Sequence, residues 1–480
     1  MNEFIRSLIH DKSVKRRLFI LSALNNGEML VSATDLATDL NCSIRTISND
    51  ISQLKKELPP GWGILGIRTK GYILFKPLTD SIHPIINSYL KNSITNKIML
   101  GIFNNKNYSL EKWSQLLYTN KLSLKRNLKE HCILLQKIDL KINFRELNLT
   151  GNELSIRHYY HMFFYYNSFF NNSSLLPNDQ ELIKKLLKIL DTHNIILDSR
   201  LLECIIFVFI NRISSKNSIN QIDTTFFLNG VSYGNLKCFN EMIKVLETYY
   251  TLTIPKKEKI ALSMLFFLGS VSTFKQGEQT IQFIKSLGQE HYQNYLDFVK
   301  ALTTDNPIKS SAKNQLLTIL APFYYKSLLH SHFKLLREFY FNPMDILRDE
   351  LISKYTQNLN HLSIWNERFN TNKMTSKELE CLTASTTITM EPYIKKINIL
   401  FLFSGITSKS NFTFSLLQKH LGENVRIHKN YTDGYTYKII ITNTHYQQNN
   451  INIPIIYISE TITTNELNNI RNHIFNMNSN

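Results

Sequence analysis

Between Ser43 and Leu58 the apolar residues Ile44, Ile47, Ile51, Leu54 and Leu58 recur at steps of three, four, three and four, the spacing of one buried face on an α-helix. The opposite face carries Arg45, Thr46, Ser48, Asn49, Ser52, Gln53, Lys55 and Lys56, and Asp50 and Glu57 are the helix's acids. A helix divided in this way must pack on one side and meet water or a polar ligand on the other. The packing partners lie just upstream. "KRRLFILSALNNGE" predicts a helix with Leu18, Leu21 and Leu24 inward and Gly27 at its end. "SATDLATDL" predicts a short helix capped by Ser32, with Asp35 three residues on as in a capping box. Asn41 and Cys42 then make a turn, and Ser43 caps the divided helix.

Downstream, "ILGIR" and "GYILF" around Thr69-Lys70-Gly71 predict a hairpin whose tip offers Arg68 and Lys70. Helix pair plus basic hairpin is the plan of a winged helix-turn-helix, in which the N-terminal residues of the second helix enter the major groove. The competing reading is a small helical bundle with an ordinary polar face. The capped helix pair, the polar face and the basic hairpin agree with one another and favour DNA binding. A second copy follows in "YSLEKWSQLLYTNKLSLKRNLKEHCILLQKIDLKINFRELNLTGNE". There Ser109 caps a helix with Trp113, Leu116 and Leu117 inward, and Ser123 caps one with Leu124, Leu128 and Leu135 inward. Lys125, Arg126, Asn127 and Lys129 face outward, and "IDLKI" and "ELNLTG" form a second wing. Residues 81–160 hold twelve basic residues against five acidic ones, the local excess that phosphate neutralisation requires. The whole chain shares this bias, with a net charge of +17 over 480 residues, which fits a polyanionic partner.

From about Leu175 to Met390 the chain reads as helical, in two consecutive sets of about 100 residues that suggest a duplicated all-α domain. Their titratable candidates are His193, His291, His330, His332 and His361. Beyond Met390 two β-rich runs, Ile397–Phe403 and Lys438–Thr442, bracket a helix from Asn411 to Leu421. A third, Ile453–Ile458, precedes a last helix from Thr464. This alternation predicts a small parallel α/β unit. Cys42, Cys132, Cys204, Cys238 and Cys381 are scattered, with no CxxC pair and no His/Cys cluster, so no metal site or disulfide framework is expected and a reducing, cytoplasmic setting fits. The most apolar run, "LLECIIFVFI", is too short to span a bilayer, so no membrane association is expected. No Ser-His-Asp order, HExxH, P-loop or GxGxxG occurs, so neither catalysis nor a cofactor is expected.

The order of these parts resembles the Mga/AtxA family of virulence regulators of low-GC Gram-positive bacteria. The residues that carry the likeness are "LATDLNCSIRTISNDISQLKKEL", "LSLKRNLKEH" and "LNLTGNELSIRHYYHMFF", whose L-x-G-x-E-x-x-I-R marks the exit from the second wing. The resemblance implies that the helical sets are like PTS regulation domains (PRD), phosphorylated on histidine by phosphotransferase-system phosphocarrier proteins. It also implies that the α/β unit is like an enzyme IIB domain (EIIB) that supports dimerisation. Two positions depart from that pattern. Phe403 or Ser404 stands where a working IIB domain has its phosphorylatable Cys, and Cys204 or Ile205 stands where a regulation domain often has a His. Phosphorylation would then fall on His193 in the first set and on His330, His332 or His361 in the second.

The expected fold is multidomain and mainly α. It has winged helix-turn-helix domains at 1–80 and 81–160, PRD-like bundles at 161–285 and 286–392, and an EIIB-like α/β domain at 393–480. The expected function is a transcriptional regulator that binds promoter DNA as a homodimer or higher oligomer, with RNA polymerase as a further partner. The alternatives are an active phosphotransferase component and an architectural protein that binds DNA without sequence preference.

Overall fold

The computed structural model describes residues 3–26, 30–67, 70–171, 179–223, 233–306, 308–309, 312–335, 347, 349–370, 373–394, 396–421, 425–432, 434–445 and 453–477. The first unit comprises α1 (Glu3–Leu8), α2 (Lys12–Asn26), α3 (Ala33–Asp39), α4 (Ile44–Glu57), β1 (Gly63–Ile67) and β2 (Gly71–Phe75). The second repeats it as α5 (His83–Asn92), α6 (Ile94–Phe103), α7 (Leu110–Leu116), α8 (Lys121–Gln136), β3 (Lys141–Asn143) and β4 (Asn148–Thr150). Each pair of strands is an antiparallel hairpin. The caps follow the sequence closely: Ser32 accepts from the amides of Thr34 and Asp35, Ser43 from Thr46, and Ser109 from Lys112. At α8 the cap is Asn120, whose carbonyl oxygen accepts from the Ser123 amide at 2.7 Å. The helix therefore starts before the expected Ser123.

α9 (Glu153–Asn171) leaves the second unit and enters the helical middle. The first helical set holds α10 (Gln180–Thr192), α11 (Ser199–Ser214), α12 (Tyr233–Tyr249) and α13 (Lys256–Gly269). Then come α14 (Phe274–Ser286), α15 (Gln289–Thr303), α16 (Lys313–His332), α17 (Asp349–Arg368) and α18 (Ser376–Met390). Sequence periodicity did not mark α14, because Gly277 and a polar middle interrupt its stripe. It packs mainly on α16 and sides with the second set. A continuous core links the two winged units to both helical sets.

The C-terminal unit runs β5 (Ile397–Leu402), α19 (Thr407–Leu421), β6 (Val425–His428), β7 (Tyr437–Thr442), β8 (Ile455–Tyr457) and α20 (Thr464–Met477). Its four strands pair in parallel in the order β6-β5-β7-β8, over a core of its own. β6 is a strand that three apolar runs did not reveal, since "VRIH" alternates with charge as an edge strand does. Among the described residues, no helix is long and apolar enough to cross a membrane.

The exit motif now has a physical meaning. The Arg157 guanidinium is fully buried. It donates to Glu153 Oε1 (2.9 Å), to both oxygens of Glu258 and to the carbonyl of Asn217 (2.8 Å). Arg212 closes the cluster on Glu153, at 2.9 and 2.6 Å. Glu153 and Arg157 of α9 thereby tie it to the end of α11 and the start of α13. Gly151, just before, has φ +148, and a Cβ there would meet Leu140 Cδ2 at 2.5 Å and the Asp139 carbonyl at 2.8 Å. Only glycine fits where the wing turns into α9.

Candidate nucleic-acid interface

In the first unit α4 is held from three directions. Arg16 of α2 donates to both oxygens of Asp50, at 2.7 and 3.3 Å, so Asp50 is buried and belongs to the packed side of the helix. Near the C-terminal end, Tyr89 of α5 donates to Glu57 and accepts from Arg17 at 3.1 Å. Burial, followed by the Glu57 carboxylate, pushes the Tyr89 phenol up to about 12, which keeps it protonated as a donor. The wing is docked by Val31, whose amide and carbonyl pair with Tyr72 at 2.9 and 2.8 Å. Gly71 permits that approach: its φ is +126, and a Cβ would meet the Val31 carbonyl at 2.3 Å.

Held in this way, α4 exposes Arg45, Ser48, Asn49, Ser52, Gln53, Lys55 and Lys56, while Thr46 is half-buried beside its cap. Ser52 donates to the Ser48 carbonyl (2.8 Å) and Gln53 to Glu57 (2.8 Å). Lys70 is exposed at the wing, and Arg68 lies outside the described residues. Ile44 differs from the expectation. It is 50% exposed, because the first turn of α4 projects beyond the helices that cover Ile47, Ile51 and Leu54.

In the second unit Lys125, Arg126 and Lys129 are exposed on α8, and the Lys125 ammonium lies 5.7 Å from the Phe144 ring beside the wing. Asn127 does not join them and is corrected to a core position. It is 5% exposed, and its main-chain carbonyl faces Thr95 Oγ1 at 3.4 Å. α6 packs against that side of α8 and turns it inward. Close approach between α6 and α7 depends on Gly101, where a Cβ would meet the Trp113 ring at 2.4 Å.

Behind this face His131 of α8 is fully buried, with Ser7 Oγ at 3.0 Å and Tyr159 Oη at 2.7 Å from its ring nitrogens. Burial alone depresses its pKa to about 3. The folded ring therefore stays neutral while the unfolded ring takes a proton below about 6.5. Stability that is full above that value is lost as the pH falls, by about 1.4 kcal/mol per unit. Acidifying from pH 7 to 5 is expected to cost about 2 kcal/mol through this ring. Denaturation midpoints of the wild type and His131→Gln at the two pH values check this. The variant should lose correspondingly less on acidification, and equal losses would exclude His131 as the source.

The candidate phosphoacceptors fall into two groups. His193 is half-buried at the end of α10 with Nε2 3.1 Å from Glu241. His332 lies 3.1 Å from Asp223, and His361 lies 2.6 Å from Asp305. All three rings sit at the protein surface beside a carboxylate. His330 is 3% exposed and donates Nδ1–H to the Leu335 carbonyl at 2.7 Å. Its ring packs on His158, which packs on His161, so His330 is closed to a phosphocarrier and is corrected to a core residue. In the C-terminal unit the Ser404 amide and carbonyl are tied to the Asn443 side chain at 2.8 and 2.7 Å. Among the described residues, no group of three or more His, Cys, Asp or Glu is placed to hold a metal ion.

Comparison with known proteins places both winged units. Residues 16–73 match an HTH domain and residues 78–164 match the Mga helix-turn-helix domain. Three proteins of Bacillus anthracis are similar over longer stretches. The capsule synthesis positive regulator AcpB is 21% identical over 67% of this chain and 68% of its own length. The anthrax toxin expression trans-acting positive regulator is 23% identical over 58% of this chain and 59% of its own length. The capsule synthesis positive regulator AcpA is 27% identical over 30% of each. With a helix-turn-helix match in each unit and relatives of this kind, the chain is similar to the Mga/AtxA family of regulators.

Proposed function

We propose that this protein is a cytoplasmic transcriptional regulator that binds promoter DNA through α4 and the first wing, with α8 and the second wing as a further contact. The observation that carries this reading is the pair of recognition helices. Each is packed on one face and presents a basic, hydrogen-bonding face outward, at the position where such a helix enters the major groove. Three relatives are named positive regulators, which supports activation, and hence contact with RNA polymerase, over repression. We read the assembly as a homodimer or higher oligomer. The helical sets would respond to phosphotransferase components through His193, His332 or His361. A phosphate on any of these would set new negative charge against Glu241, Asp223 or Asp305 and loosen that contact. A phosphotransferase role for the C-terminal unit is disfavoured, because Phe403 and Ser404 supply no phosphorylatable Cys at the end of β5.

Mobility shifts on a bound promoter fragment test the DNA reading. Arg45→Ala and Asn49→Ala should each weaken specific binding by about 1–3 kcal/mol, roughly 5- to 150-fold, while affinity for random DNA is kept. Lys55→Ala should weaken binding to any sequence and shallow the salt dependence by about one charge. Wild-type affinity in all three variants would remove α4 from the interface.

A further inference from the structure

Both recognition helices carry a large apolar side chain in their first turn that the protein core does not cover. Ile44, the first residue of α4, is 50% exposed, and Leu122, the second residue of α8, is 76% exposed. The rest of each exposed helix face around them is polar, and Leu116 and Tyr118 are also exposed just upstream of Leu122. Ile44 precedes the exposed Ser48 by one helical turn and the exposed Lys55 by three. Leu122 precedes Lys125, Arg126 and Lys129 by three, four and seven residues, so all four share one face. A single apolar side chain among the basic residues of a helix face offers a protein partner little apolar area. It suits the one base substituent of the major groove that is itself apolar, the 5-methyl group of thymine.

We propose that Ile44 and Leu122 are specificity residues that read thymine methyl groups, one under each recognition helix. The inference rests on the DNA-binding reading above. Arg45, Asn49, Lys125 and Arg126 hold phosphates and polar base edges. Ile44 and Leu122 add a preference for A·T pairs at defined steps, each from the first turn of its helix.

The test uses the full chain. Duplexes bound from a random pool are selected, and the enriched site is resynthesised with deoxyuridine in place of each thymine in turn, which removes only the methyl. Wild-type protein should lose about three- to fivefold in affinity at one or two positions, the factor that burial of one methyl-sized group carries. Ile44→Ala should abolish the loss at one position and Leu122→Ala at another. Both variants should keep wild-type melting, since neither side chain is in the core. Deoxyuridine without effect at every position would overturn the inference, as would variants that remain fully sensitive to it. A Leu122→Ala variant that changes oligomeric state and keeps its sensitivity would overturn it for that residue. Failure to enrich any duplex over random sequence would instead overturn the proposed function.

Discussion

Arg157→Ala is expected to destabilise the helical part of the protein by about 3–5 kcal/mol, because it leaves the carboxylate of Glu258 buried without its cation. Glu258 is 2% exposed, and among the described residues its Oε1 then keeps only the Ile219 amide, at 2.8 Å. In calorimetry the main transition should fall by about 10 °C. The C-terminal α/β unit has its own core, and its transition should stay in place. Adding Glu258→Gln removes the stranded charge while a side-chain oxygen remains for Ile219. The double variant should therefore recover at least half of the loss. A single variant that melts within about 2 °C of wild type would show that the cluster is dispensable. The consequence reaches function, since α9 is the element that carries the second winged unit into the helical sets.

Gly277→Ala tests the packing of the second helical set, and the sign of its effect is decisive. In an exposed helix this change would stabilise by about 1 kcal/mol through helix propensity. Here a Cβ would lie 2.1 Å from the Thr318 carbonyl oxygen and 2.8 Å from its carbon. Backbone sits on the far side of the contact, so α14 and α16 must move apart, and overpacking of this kind costs about 3 kcal/mol. Stabilisation on urea denaturation would mean that the two helices are not in such close contact.

These two positions show where sequence reasoning ran out. Glu153 and Arg157 stand out as a motif, but their spacing says only that they share a helix face. That Arg157 meets Glu258 and Glu153 meets Arg212 at a buried junction depends on how α11 and α13 fold back. Gly277 weakens a helix by propensity and hid α14 from the periodicity argument. Its value lies in a neighbour 41 residues away, which no local pattern encodes. The same limit applies to the candidate interface. The steps from Ile44 to Leu58 gave the helix and the general direction of its buried face. They could not show that Ile44 projects past the helices covering the rest, or that Asp50 turns in to meet Arg16. In α8, Asn127 is polar like the outward residues, yet it stands three after Leu124 and one before Leu128, on the side that α6 covers.

The sequence by itself determined the local elements: the capped helices at Ser32, Ser43 and Ser109, the two wings with glycine at their close approaches, the helical middle and the β-α alternation of the C-terminal unit. Hydrogen-bonding caps, apolar period and backbone freedom are all properties of neighbouring residues, so they can be read along the chain. Tertiary structure alone decided which side chains face solvent at the edges of those elements. It turned His330 inward and left Ile44 outward. Burial at an edge depends on which distant helix comes to rest there.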